Sequence, residues 1–86
     1  MYTDEYDISL KREINICRRS IKKIERFIAG MENKYNLKTE VFIQGFRKGE
    51  SGNSKDYMLW KNKYEELERW KERDLHYKEM LGLTGR

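Results

Sequence analysis

Two side chains have the chemistry of a catalytic or metal centre, Cys17 and His76, and each is the single member of its class in the 86-residue sequence. A nucleophilic cysteine needs an electropositive, accessible setting and a partnering base. Cys17 instead falls midway between Ile14 and Ile21 in an apolar repeat, where a thiol serves as a small buried hydrophobe. Arg18 and Arg19 adjoin it in sequence but point away from that repeat. His76, in the charged run KERDLHYKEM, has no second histidine or cysteine at ligand spacing, so a transition metal would have to take carboxylates as its other ligands. It reads as a surface histidine. The glycine turns GESG and LTGR lack the preceding strand and internal lysine of a phosphate-cradling loop. The expectation is a non-enzymatic chain with no catalytic residue, no metal, no cofactor and no small-molecule substrate.

Charge gives a second kind of chemistry. From Lys11 to Lys34 there are eight basic and three acidic residues, a net +5 that exceeds the +4 of the whole chain. Arg12, Arg19 and Arg26 recur every seven residues, with Lys22 and Lys23 between them. Such a stripe could track the phosphates of a nucleic acid. The blander reading is a solvated outer face, because heptad-spaced arginines opposite an apolar seam occupy positions where charge serves solubility. No aromatic residue interleaves the stripe, and nothing reads as the recognition helix of a helix-turn-helix.

Apolar residues without a place in the seam give a third. Trp60 and Trp70 stand ten apart, so on a helix they differ by about 80° around the axis and cannot both lie at the centre of one narrow contact. Phe27 and Ile16 also stand off the seam. Ile16, Phe27, Trp60 and Trp70 are therefore the candidate partner-binding residues, with one tryptophan expected in the core and one on the flank.

The elements that must position these residues follow from spacing. Leu10, Ile14, Cys17, Ile21, Ile24, Ile28, Met31 and Tyr35 alternate by four and three, a heptad seam that predicts a long helix over about residues 4–34. Thr3 can cap its start, and Gly30 weakens it slightly near the end unless another backbone packs there. A second long helix is expected over 55–81, capped by Ser54 and stopped by Gly82, with Leu83 folding back on Tyr77 and a tail over 82–86. Its stripe is Tyr57, Trp60, Tyr64, Leu67, Trp70, Tyr77 and Leu81, with Asp74 where the spacing asks for an apolar residue. Glu65 with Arg69 and Asp74 with Lys78 are spaced to pair on the outer face.

Between them, VFIQGFRKG holds too many apolar atoms for a free loop. A cap at Thr39, Phe42 and Phe46 four apart, and a stop at Gly49 predict a short helix over 39–48, followed by the turn 49–54. Phe42, Phe46 and Gly49 are its structural residues, the two rings closing one end of the hairpin.

With 40% charged and 37% hydrophobic residues and no proline, the chain reads as one all-α domain, a hairpin of two long helices with a short capping helix in the connection. So thin a core favours pairing into a homodimeric four-helix bundle. One cysteine rules out an internal disulfide and fits a reducing cytoplasm. The acidic start MYTDEYDISLKRE does not read as a signal peptide, and no apolar run could span a membrane.

From Lys34 to Leu67 the chain resembles the small helical-hairpin proteins of prokaryotic toxin-antitoxin-type operons. The matching positions are Lys34, Tyr35, Asn36, Leu37, Thr39, Phe42, Phe46, Gly49, Glu50, Asp56, Tyr57 and Trp60, with Asn36 where glycine is usual and a less acidic loop. The resemblance implies an antitoxin-like or accessory component whose partner is a toxin-like protein. The functional expectation is a protein-protein interaction module acting through its apolar flank, with a small basic nucleic-acid-binding protein as the alternative.

Overall fold

The apolar spacing is realised as three helices: α1 (Glu5–Tyr35), α2 (Thr39–Arg47) and α3 (Lys55–Leu81). The structure is a computed structural model, and it describes residues 5–50, 52 and 54–82. The expected cap at Thr3, the fold-back of Leu83 and the tail beyond Gly82 lie outside these residues. Among the described residues there is no strand, and no helix is long and apolar enough to cross a membrane. The long helices run antiparallel in a rod of 57 × 20 × 18 Å, of which the 31-residue α1 spans about 46 Å at about 1.5 Å per residue.

From α1 the seam buries Leu10, Ile14, Cys17, Ile24, Ile28 and Met31, while Ile21 and Tyr35 are half-buried. From α3 only Trp60 and Leu67 are buried. The two helices are unequal partners because α3 presents rings and a carboxylate where α1 presents aliphatic side chains. Asp74 stands in the seam position as the spacing requires. Its Oδ2 accepts from Lys78 Nζ at 2.9 Å, but its buried Oδ1 has no hydrogen-bond partner. A buried acceptor left unpaired costs about 1–3 kcal/mol, so Asp74 weakens the seam at this point.

Left-handed residues end the three helices, and a side-chain cap opens α3. α1 stops at Asn36, which adopts φ 51°, with Leu37 N–H donating to the Glu32 carbonyl at 3.1 Å. Asparagine tolerates this left-handed conformation, which is how it stands in for glycine. α2 ends in a Schellman motif: Gly49 has φ 77°, Glu50 N–H reaches the Gly45 carbonyl at 2.9 Å and Gly49 N–H that of Phe46 at 3.0 Å. Ser54 caps α3, its Oγ accepting from Tyr57 N–H at 3.0 Å, and Gly82 ends it at φ 76°.

The expected cap at Thr39 is corrected. Lys38 is the N-cap residue of α2 and makes no side-chain cap. Thr39 is the first helical residue, and its hydroxyl is turned inward, away from the backbone. It donates to Glu32 Oε2 at 2.7 Å and accepts from Trp60 Nε1 at 3.2 Å, while Thr39 N–H donates to the same Glu32 oxygen at 2.8 Å. Around this relay Phe42 stacks on Trp60 with centroids 4.0 Å apart, and Tyr57 meets Phe42 at 5.1 Å. Phe46 packs edge-on against Phe42 and is only half-buried, and Val41 alone of the short helix's apolar residues stands outward. At the rim Asp56 accepts from Lys34 Nζ at 2.7 Å and from the Tyr35 hydroxyl.

These bonds set the acid response of the joint. Glu32 is held below the usual carboxylate range, first by the Thr39 hydroxyl and then by its N–H, and Asp56 is held low by Lys34 and then Tyr35. A carboxyl whose folded pKa is depressed stabilises the fold above its unfolded pKa and loses that contribution as pH falls through the folded one. Melting temperature should therefore drop as pH is taken below about 4. The Glu32→Gln/Asp56→Asn double variant should melt lower at neutral pH but follow a flatter curve into acid; an equally steep curve would show that other groups dominate. Phe42, 1% exposed, is the deep ring. Phe42→Ala should cost about 3–5 kcal/mol and Phe46→Ala roughly half as much, measured by urea unfolding.

Candidate functional site: an aromatic flank and a basic face

Burial decides between the two tryptophans. Trp60 is 0% exposed, stacked on Phe42 and hydrogen-bonded to Thr39, so it cannot meet a partner. Its expected partner-binding role is corrected to that of a core residue. Trp70 is the flank residue, half-buried as it packs against the main core.

The helical hairpin places Trp70 of α3 and Phe27 of α1 on one groove of about 290 Å³, shared with Ser20, Lys23, Lys63 and Glu66. Phe27 is also half-buried against the core and is not the open ring that its off-seam position predicts. Ile16, likewise half-buried, precedes Phe27 by eleven residues. Eleven residues turn a helix through about three full turns plus 20°, so Ile16 shares that side of α1. By the same arithmetic Tyr77 follows Trp70 along one side of α3. Ile16 and Phe27 thus line the flank from one helix, Trp70 and Tyr77 from the other.

Trp70 is held rather than loose. Its Nε1 donates to Glu66 Oε2 at 3.4 Å, and the Arg73 guanidinium lies over its ring at 4.7 Å from the centroid. Glu66 Oε1 takes Lys63 Nζ at 3.2 Å, and its carboxyl is pulled below the usual range chiefly by Lys63 and secondarily by Trp70. An aromatic ring fixed by its neighbours loses little freedom on binding, which is how tryptophans come to dominate interfaces.

Arg12, Arg19, Lys22, Lys23 and Arg26 are all exposed, the three arginines at the heptad position opposite the seam. Only Lys23 also reaches the aromatic groove. Arg18 with Lys22, Arg19 with Lys23, and Lys22 with Arg26 stand four apart with like charge. Such pairs each weaken a helix by roughly 0.2–0.5 kcal/mol. On α3 the expected pair Asp74–Lys78 forms, whereas Glu65 bonds Lys61 at 3.5 Å in place of Arg69.

Among the described residues no three histidine, cysteine or carboxylate side chains cluster to hold a metal ion. His76 is exposed, its nearest ring Tyr77 at 6.2 Å between centroids. Cys17 is 0% exposed, and its thiol is pushed up from the ordinary value by burial and then by the charge of Asp74. The residues that sequence reasoning missed are Glu66 and Arg73, which fix Trp70. Their spacing of four before and three after it is the only signal, and it is common on any charged helix. No family model matches the chain, and no similar curated protein or solved structure is found.

Buried and poorly ionised, Cys17 should react with a disulfide reagent at least about 100-fold more slowly in native buffer than in denaturant. Comparable rates in the two would mean that the seam opens readily at this point.

Proposed function

We propose that this chain is a non-enzymatic helical interaction module that pairs with a second copy along the Ile16, Phe27, Trp70 and Tyr77 flank to make a four-helix bundle. The observation that carries the reading is the groove lined by Phe27 of α1 and Trp70 of α3. Shape supports it. The chain exposes 6701 Å², where a compact monomer of 10.6 kDa would expose about 5,500 Å². Such an excess is that of a rod with a thin core, which gains from pairing. Hot-spot chemistry supports it as well: a braced tryptophan beside a phenylalanine, ringed by Lys23, Lys63 and Glu66, is a ring-centred patch with a charged rim.

We further propose an antitoxin-like role, a second, heterologous association in a reducing cytoplasm. It rests on the resemblance over Lys34 to Leu67, whose matching residues Lys34, Tyr35, Thr39, Phe42, Asp56 and Trp60 all build the joint. The resemblance is therefore one of scaffold, and the partner must be sought by co-expression with neighbouring reading frames.

Light scattering at tens of micromolar should return a dimer. Trp70→Ala should weaken it by about 2 kcal/mol, roughly 30-fold in the dissociation constant, with helicity unchanged by circular dichroism. A wild-type chain that stays monomeric at these concentrations would sink the dimer; a dimer indifferent to Trp70→Ala would move the interface elsewhere.

A further inference from the structure

The two long helices carry their charge in different ways. α3 holds seven basic and seven acidic residues, a net of zero. Its lysines 61, 63 and 78 pair with acids on the same helix, and Lys71 approaches Glu25 of α1 at 3.9 Å. From Lys11 to Arg26, α1 holds seven basic and two acidic residues, a net of +5. Among the described residues none of those seven cations makes an ion pair, and one of the two acids, Glu25, is directed to α3. A face kept charged merely for solubility would be built as α3 is, with both signs interspersed. α1 instead gathers Arg18, Arg19, Lys22, Lys23 and Arg26 into about two turns, with like charges four apart, against its own helical stability.

We propose that the outer face of α1 is a binding surface for duplex nucleic acid, held through its phosphates without sequence readout. Three features favour that occupant. The cations sit at the heptad positions away from the seam and cover roughly 150° of the helix, a convex ridge; the major groove of a duplex, about 12 Å wide, admits such a helix between two rows of phosphates. Arg12, Arg19 and Arg26 carry the row along about 21 Å of axis, spaced by heptads. No ring interleaves the row from Arg12 to Arg26, so the stacking platform of a single-strand binder is missing there. The ridge borders the Phe27 and Trp70 groove at Lys23, so the Arg12, Arg19 and Arg26 row is the part that stays open when the groove is filled.

The test is fluorescence anisotropy of a labelled 20-base-pair DNA duplex of arbitrary sequence, titrated with the full chain at several salt concentrations. Binding should weaken steeply with salt. Replacing Arg12, Arg19 and Arg26 together by glutamine should lower the slope of log affinity against log salt by about 2.7, three phosphate contacts' worth. Replacing the same three by lysine should restore the slope, separating lost charge from lost fold. The Lys61→Gln/Lys71→Gln variant on α3 should bind like the parent. Failure to bind at low salt, a slope unchanged in the glutamine variant, or an equal loss in the α3 variant would each overturn the proposal. Tighter binding to the single strand would replace the duplex by a single-stranded ligand. Displacement by polyglutamate at equal charge would replace it by an acidic protein segment.

Discussion

One hydroxyl group ties the three helices together. Thr39, on α2, donates to Glu32 of α1 and accepts from Trp60 of α3, and it does so at 3% exposure, where a lost partner cannot be replaced by water. The indole that it fixes is the surface on which Phe42 stacks, so the polar relay determines where the largest ring of the core lies. Without it a nine-residue helix would have little to orient it, since so short a segment is not stable by itself. The elaborate connection is therefore the organising centre of the hairpin. It sets which face of α3 meets the seam of α1, and hence which of the remaining side chains are left on the flank.

Much of this was legible in the residues. The four-three spacing of Leu10 to Met31 identified the buried side of α1, because a heptad repeat is local to one helix and needs no knowledge of its partner. Ser54, Gly49 and Gly82 were legible for the same reason: caps and left-handed glycines are properties of a few adjacent residues. The choice between Trp60 and Trp70 was not. Angular separation shows that they cannot share one position, but the selection is made by Phe42 and Thr39, twenty or so residues away. Thr39 misleads for a related reason. A threonine before an apolar run is a cap by pattern, yet here Glu32 and Trp60 compete for its hydroxyl and prevail. Charge pairs on the outer face were half legible, since Glu65 has bases four residues away on both sides and sequence does not rank them. Gly30 has open space where a side chain would stand, and nothing in the structure explains it.

The molecule separates its two kinds of surface by helix and by face. Apolar chemistry collects on one flank, where side chains of both helices converge and where bracing by Glu66 and Arg73 holds the indole of Trp70 still. Unbalanced charge collects on the back of α1, which has no part in holding α3 beyond the contact of Glu25 with Lys71. The two meet at Lys23, and neither includes a residue of the joint.

The position of Asp74 has a kinetic consequence. Rings and hydrogen bonds crowd the joint, where contacting residues such as Thr39 and Trp60 are 21 apart in the chain. Asp74, with its stranded oxygen, sits toward the other end, opposite the region of Cys17, 57 positions away in sequence. The shorter loop closes at lower entropic cost and is met by the denser contacts, which favours forming the joint before the far end of the hairpin. Opening runs in reverse: the helix ends farthest from the joint part first and most often, and amide exchange along α1 should slow steadily from Leu10 toward Met31.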